Sequence, residues 1–135
     1  MKAAFKRGAT ATLRDIPLRE LAPDEIRVKI QACGICGTDL HLNPDEADHE
    51  SAFGHEAAGL VVEKGCGVTC LEVGRQVVIE SATPCGFCSY CKNAQQELCT
   101  DIKSFWHSGY FGFAEEMITP AITAIPCDDL PPHIA

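Results

Sequence analysis

Four cysteines, Cys85, Cys88, Cys91 and Cys99, fall within fifteen residues in the spacing C-x2-C-x2-C-x7-C. Two-residue gaps let a tight turn aim successive sulfurs at one point. Zinc accepts four thiolates tetrahedrally at about 2.3 Å and makes no electronic demand on geometry. Gly86 eases the first turn, and Lys92 offsets part of the negative charge of a four-thiolate centre. An iron–sulfur run of the bacterial type calls for a last gap of three and a following proline; here the gap is seven and Thr100 follows. Disulfides require an oxidising compartment, and free thiols leave the spacing without a reason. The cluster reads as a structural zinc site. Four protein ligands close the coordination shell, so the metal would hold a loop and not catalyse.

A second group lies upstream. It comprises Cys33-Gly34-Ile35-Cys36-Gly37-Thr38-Asp39-Leu40-His41 and, further on, Gly54-His55-Glu56-Ala57-Ala58-Gly59. Taken by residue type alone, Cys33 and Cys36 are half of another metal site or a redox pair. His55-Glu56 is a pair of metal donors or a surface dipeptide. Spacing leaves these alternatives open.

The elements that must position these residues are mostly strands. Residues 25–32 alternate polar and apolar, the pattern of a half-buried strand, and residues 59–63 and 73–79 read as two more. Residues 113–119 and 121–125 are weaker strand candidates split by Pro120. No long helical stripe occurs, and only residues 90–98 suit a turn or two of helix. Gly65-Cys66-Gly67 follows a strand, but Cys70 stands where a dinucleotide fingerprint needs its third glycine, so a hairpin connection is expected. Short strands between Gly and Pro signals predict a mainly β barrel or sandwich.

Composition bounds the function. The 135 residues are 46% hydrophobic and 22% charged, which suits one globular domain. The 11 basic and 19 acidic residues leave a net charge of −8, which repels phosphate backbones and argues against a nucleic-acid partner. No apolar run reaches membrane-spanning length. The N-terminus is too charged for a signal-peptide core, so an intracellular, cytoplasmic chain is expected. Nine cysteines, an odd number, then read as reduced thiols, some of them metal-binding. Cys33 is expected on the packed side of its strand. Cys66, Cys70 and Cys127 are expected to be incidental or structural. His49 sits in an acidic stretch that reads as solvated loop, and Phe105, Trp106, Tyr110 and Phe111 suit a pocket wall or a core.

The order of these motifs carries more than each alone. A strand, then C-G-I-C-G-T-D-L-H, then G-H-E-A-A-G, then the four-cysteine cluster closely resembles the zinc-dependent medium-chain alcohol dehydrogenases, in their threonine and polyol dehydrogenase branches. The resemblance runs from Glu25 to Pro132. It implies a GroES-like fold: a partly open β-barrel with a few short helices and a zinc-binding lobe. Cys36 and His55 resemble ligands of a catalytic zinc, and Glu56 the carboxylate that approaches that metal. Thr38 resembles the hydroxyl that bonds the substrate oxygen, His41 the outer member of a proton relay, and Asp39 the carboxylate that orients the histidine ligand. Cys85, Cys88, Cys91 and Cys99 match the structural zinc lobe. The resemblance implies oxidation of a small alcohol or polyol with hydride transfer to NAD(P).

The chain departs from the family in length. Residues 1–135 correspond to the N-terminal segment of the catalytic domain, and the nucleotide-binding domain is expected to lie outside this chain. No dehydrogenase activity is therefore expected of these residues alone. The segment Val73-Gly74-Arg75-Gln76-Val77 also lacks the acidic residue that relatives usually carry in Gly-Asp-Arg. The expectation is the catalytic-domain portion of a zinc- and NAD(P)-dependent alcohol or polyol dehydrogenase, with self-association into a homo-oligomer through barrel edges. The competing reading is a non-catalytic zinc-binding or assembly module derived from that family.

Overall fold

A computed structural model describes residues 1–40, 50–104 and 112–135. Among the described residues, ten strands form three sheets: β1 (Lys2–Arg7), β2 (Thr10–Asp15), β3 (Glu25–Gly34), β4 (Ser51–Ala52), β5 (Glu56–Lys64), β6 (Gln76–Ile79), β7 (Ala82–Thr83), β8 (Lys103–Ser104), β9 (Glu116–Pro120) and β10 (Ala124–Pro126). The largest sheet runs β10-β6-β5-β3-β9, the second β2-β1-β4, and β7 pairs with β8 alone. All strand pairings among the described residues are antiparallel. Helical structure among the described residues is short: α1 (Gly37–Leu40), α2 (Ser89–Lys92) and two single 3-10 turns at Gln96–Leu98 and Ala121–Thr123. Among the described residues no helix is long and apolar enough to cross a membrane.

The core follows from alternation. Ile26 and Val28 of β3, Val77 and Ile79 of β6 and Met117 of β9 point to one side, and Ala57 and Val61 of β5 meet them there. Val68 and Leu71, in the connection after β5, cap the cluster. Successive strand residues face opposite sides, so each strand offers this core every second residue. Gly59 lies where β5 passes β3, and a Cβ there would meet the Lys29 carbonyl oxygen at 2.2 Å.

Several boundaries differ from the sequence expectation. β3 extends to Gly34, two residues beyond the expected end, because it finds Ala57 and Glu56 opposite Cys33 and Gly34. β6 starts at Gln76, since Gly74 turns the chain at φ +91°. Residues 113–115 are not a strand. Their backbone is spent on β1: Ala4 N–H donates to the Phe113 carbonyl, and Glu115 N–H to that of Lys2. Residues 121–123 form a 3-10 turn, which leaves only Ala124–Pro126 to pair with β6. The link from β5 to β6 is a hairpin with a long connection, tied back where Gly65 N–H reaches Glu25 and Gly67 N–H reaches Pro23. The N-terminal hairpin β1–β2 has no counterpart in the sequence reading. Its second strand is exposed throughout, so it carries no buried alternation to detect.

Candidate metal centres

The long strand β3 carries the first group to its place. Its ladder with β5 shifts register between Ile30 and Ala32, a bulge that bends the strand. Beyond the bend, Gly34 lies opposite Glu56. A Cβ on Gly34 would sit 2.4 Å from Glu56 Oε2, so glycine makes room for that carboxylate. Two residues later the chain turns through Cys36 into α1. His55 enters from the other side, just before β5. It follows Gly54, held at φ +92° with a carbonyl that accepts from Gly112 N–H at 3.0 Å. A side chain at Gly54 would strike Phe113, whose ring packs 4.7 Å from that of Phe53.

This geometry brings Cys36, His55 and Glu56 together. One ligand atom from each lies within 4.8 Å of the others. Asp39 stands behind them, buried, with 1% of its side chain exposed. Its Oδ2 accepts from Cys36 N–H at 2.9 Å. Its Oδ1 has no hydrogen bond among the described residues and lies 3.7 Å from His55 Nδ1. A buried carboxylate beside Nδ1 favours the tautomer that carries its proton there, leaving Nε2 as the basic nitrogen. Thr38 Oγ1 is 3.3 Å from Nε2. Lys6 of β1 donates to the Asp39 carbonyl, so the N-terminal hairpin holds the end of α1.

The donor set fits zinc: a thiol, an imidazole and a carboxylate, with a carboxylate placed to orient the imidazole. Three protein donors are the number that catalytic zinc sites use while keeping a position open. In front of the cluster opens a cavity of about 660 Å³, walled by His55, Glu56, Ser81, Cys33 and His133. Cys33 is half-buried against the core, and burial, reinforced by the Asp39 charge, pushes its thiol up to about 12. It stays a neutral thiol, in keeping with a packed-side residue. His41 and His49 lie outside the described residues, as do Phe105, Trp106, Tyr110 and Phe111.

The second cluster lies on a lobe between β7 and β8. α2 and the 3-10 turn fold the chain so that all four sulfurs of Cys85, Cys88, Cys91 and Cys99 approach within 4.8 Å. The Cys88–Cys91 sulfurs are 3.5 Å apart, and the Cys85–Cys91 and Cys88–Cys99 pairs 3.9 Å. A tetrahedron with metal–sulfur bonds of about 2.3 Å has edges of roughly 3.8 Å, so the sulfurs already stand at the corners zinc requires. Backbone N–H groups of Cys85 and Asp101 point at Cys99 Sγ, and that of Cys88 at Cys85 Sγ. Such donors favour thiolate. Backbone donors near Cys91 and Thr100 bring the Cys88 thiol down to about 6, while desolvation takes Cys91 up to about 12. Four packed thiols cannot all ionise without a cation among them. Cys66 and Cys70 are exposed and stand apart from both groups.

The site features that sequence spacing could not reach are the long-range ones: Asp39 against His55, Gly34 under Glu56, and His133 on the cavity wall. His133 sits in no motif, and nothing in its neighbours' spacing marks it.

The family model of the alcohol dehydrogenase GroES-like domain matches residues 22–129. An L-threonine 3-dehydrogenase of Xanthomonas campestris pv. campestris is 34% identical across the whole of this chain, which covers 42% of that relative. Among solved structures, galactitol-1-phosphate dehydrogenase from Escherichia coli superposes with a TM-score of 0.83 at 26% identity, over 98% of this chain and 40% of that one. A candidate zinc-binding dehydrogenase from Sinorhizobium meliloti, solved with NADP, gives 0.80 at 30% identity, over 98% and 40%. The chain thus spans about two-fifths of the length of the curated relatives it matches.

Proposed function

Because the chain belongs to the alcohol dehydrogenase GroES-like domain family, we propose that residues 1–135 act as the N-terminal catalytic segment of a zinc-dependent, NAD(P)-linked alcohol or polyol dehydrogenase. The observation that carries this reading is the meeting of Cys36, His55 and Glu56 beside buried Asp39, at the mouth of a cavity. Those three residues would hold the catalytic zinc, and Cys85, Cys88, Cys91 and Cys99 the structural one. Zinc, when bound, supplies Lewis acidity that lowers an alcohol's pKa toward neutrality.

The chain's own residues do the rest. Asp39 holds the proton on His55 Nδ1 and keeps Nε2 basic. Thr38, beside Nε2, takes the hydrogen bond of the substrate hydroxyl and passes a proton outward, and His41 exchanges it with solvent. The hydride acceptor is NAD(P), bound by the part of the relatives' length that this chain does not span; the 135 residues alone then show no NAD(P)-dependent alcohol oxidation. The reading includes a cytoplasmic setting, in which the thiols stay reduced, a homo-oligomeric state, and no nucleic-acid or membrane partner.

Elemental analysis of protein purified under reducing conditions tests it. Two zinc per chain is the expected result. One zinc, retained after Cys36→Ser, would leave the lobe alone and favour the non-catalytic module. No zinc would sink the metal reading of both clusters.

A further inference from the structure

Two glycines flank Cys36, and they differ in what a side chain would meet. Gly37 opens α1, and a Cβ there meets nothing within 4 Å among the described residues. Gly34 ends β3 as the last paired residue of the β3–β5 ladder, directly opposite Glu56. A Cβ there would lie 2.4 Å from Glu56 Oε2, 3.2 Å from its Cβ and 3.5 Å from its Cδ. With three of its atoms so close to one point, the glutamate is folded across the bare glycine and not extended into solvent. The same conformation brings a carboxylate oxygen within 4.8 Å of the Cys36 and His55 donors. Neither glycine has a left-handed backbone, so alanine fits the chain at both positions and only the surrounding space differs.

Resting on the zinc reading above, we propose that Gly34 is a positioning residue for the metal held by Cys36, His55 and Glu56, its missing side chain being the seat across which Glu56 folds to donate. Glu56 is exposed, so several rotamers are open to it. The one that crosses Gly34 is the one that meets the other two donors. The backbone on both sides of the contact is held by the ladder, whereas the carboxylate is the free end of a flexible side chain. A methyl group added at this position therefore displaces the carboxylate and not the strand. Gly34 acts through Glu56 alone, and the size of the residue there decides whether the metal has a third protein donor.

Cobalt(II) titration of the metal-free 135-residue chain under reducing conditions tests this. Two ions should bind, the weaker one giving thiolate-to-cobalt and d–d absorption. Gly34→Ala should weaken that ion about tenfold or more and alter its d–d bands. The four-cysteine ion should be untouched and the amide protection of β3 and β5 retained. Gly37→Ala should leave both ions as they are in the parent. In a Glu56→Ala chain, where the weaker ion has already lost its carboxylate, adding Gly34→Ala should cost no further affinity. The inference is overturned if Gly34→Ala leaves the weaker ion's affinity and spectrum unchanged, or weakens that ion as much with Glu56→Ala as without. It is overturned equally if Gly37→Ala does the same damage, or if β3 loses its protection and so takes the strain itself. In each of those cases the zinc reading stands so long as His55→Ala abolishes the weaker ion. If His55→Ala leaves that ion in place, the zinc reading itself fails, and this inference with it.

Discussion

Asp39 is the residue on which the candidate catalytic site turns. It is buried, it fixes the Cys36 backbone through one oxygen, and it faces His55 Nδ1 with the other. Partners of this kind typically change metal affinity 10- to 100-fold when removed. Asp39→Asn keeps the shape and removes the charge that favours a proton on Nδ1. The expected result is a loss of about tenfold or more in zinc affinity at the Cys36–His55–Glu56 site, with the four-cysteine site unchanged. Chelator competition measures both. Equal affinities in the variant and the parent would show that Asp39 only braces the backbone.

Two elements carry their own consequences. The lobe from β7 to β8 buries little apolar surface of its own: Phe87, Leu98 and Ile102 are all exposed. The metal must supply most of its order. Stripping zinc should abolish hydrogen-exchange protection across residues 85–104 and leave β3, β5 and β6 protected. Protection that survives in the lobe would count against a structural metal. The start of β3 is held differently. Arg19 makes a two-pronged ion pair with Glu25, at 2.6 and 2.7 Å, and the Ala22 N–H adds a third contact. The Arg19 hydrogen bonds, opposed by desolvation and helped by Ala22, hold the Glu25 carboxyl below its ordinary value. A depressed carboxyl stabilises the fold above the unfolded-state pKa, near 4.3, and loses that contribution as pH falls through the lower folded value. Arg19→Gln should therefore be less stable than the parent near neutrality, with the gap closing below about pH 4. Urea melts at the two pH values decide it; a gap that does not vary with pH would rule out the ion pair as its source.

At the scale of the whole molecule, stability rests on one cluster beneath the five-stranded sheet. Ile26 is fully buried at its centre, on a strand paired from both sides. Ile26→Ala should cost about 2–5 kcal/mol, read as a fall in the urea midpoint. A cost under about 1 kcal/mol would mean the cavity collapses or the cluster is not the main core. Elsewhere the sheets leave apolar surface uncovered. A groove of about 820 Å³ runs between the β1–β2 hairpin and β3, with Leu13, Ile35 and Leu40 largely exposed along it. The accessible surface, 7969 Å², exceeds the roughly 6,900 Å² typical of a closed globule of this mass.

What the sequence determined by itself is local. Alternation marked β3, because a half-buried strand must repeat every two residues, and short apolar runs marked β5 and β6. The four cysteines declared their site because all the donors lie on one short turn-rich segment. The order of the motifs identified the family and, through it, the residues to examine. Alternation could not find β2, whose residues are all exposed, nor the true start of β9, since residues 113–115 look like a strand but bond to β1. It could not show that Asp128 would supply a carboxylate to Arg75, which stands in the place of the usual acid in that turn. The pairing of Asp39 with His55 was implied by the family resemblance, whereas tertiary structure alone decided the space Gly34 leaves for Glu56 and the place of His133. Each depends on strand register and on turns packed across the sheet, which bring together residues that no local period relates.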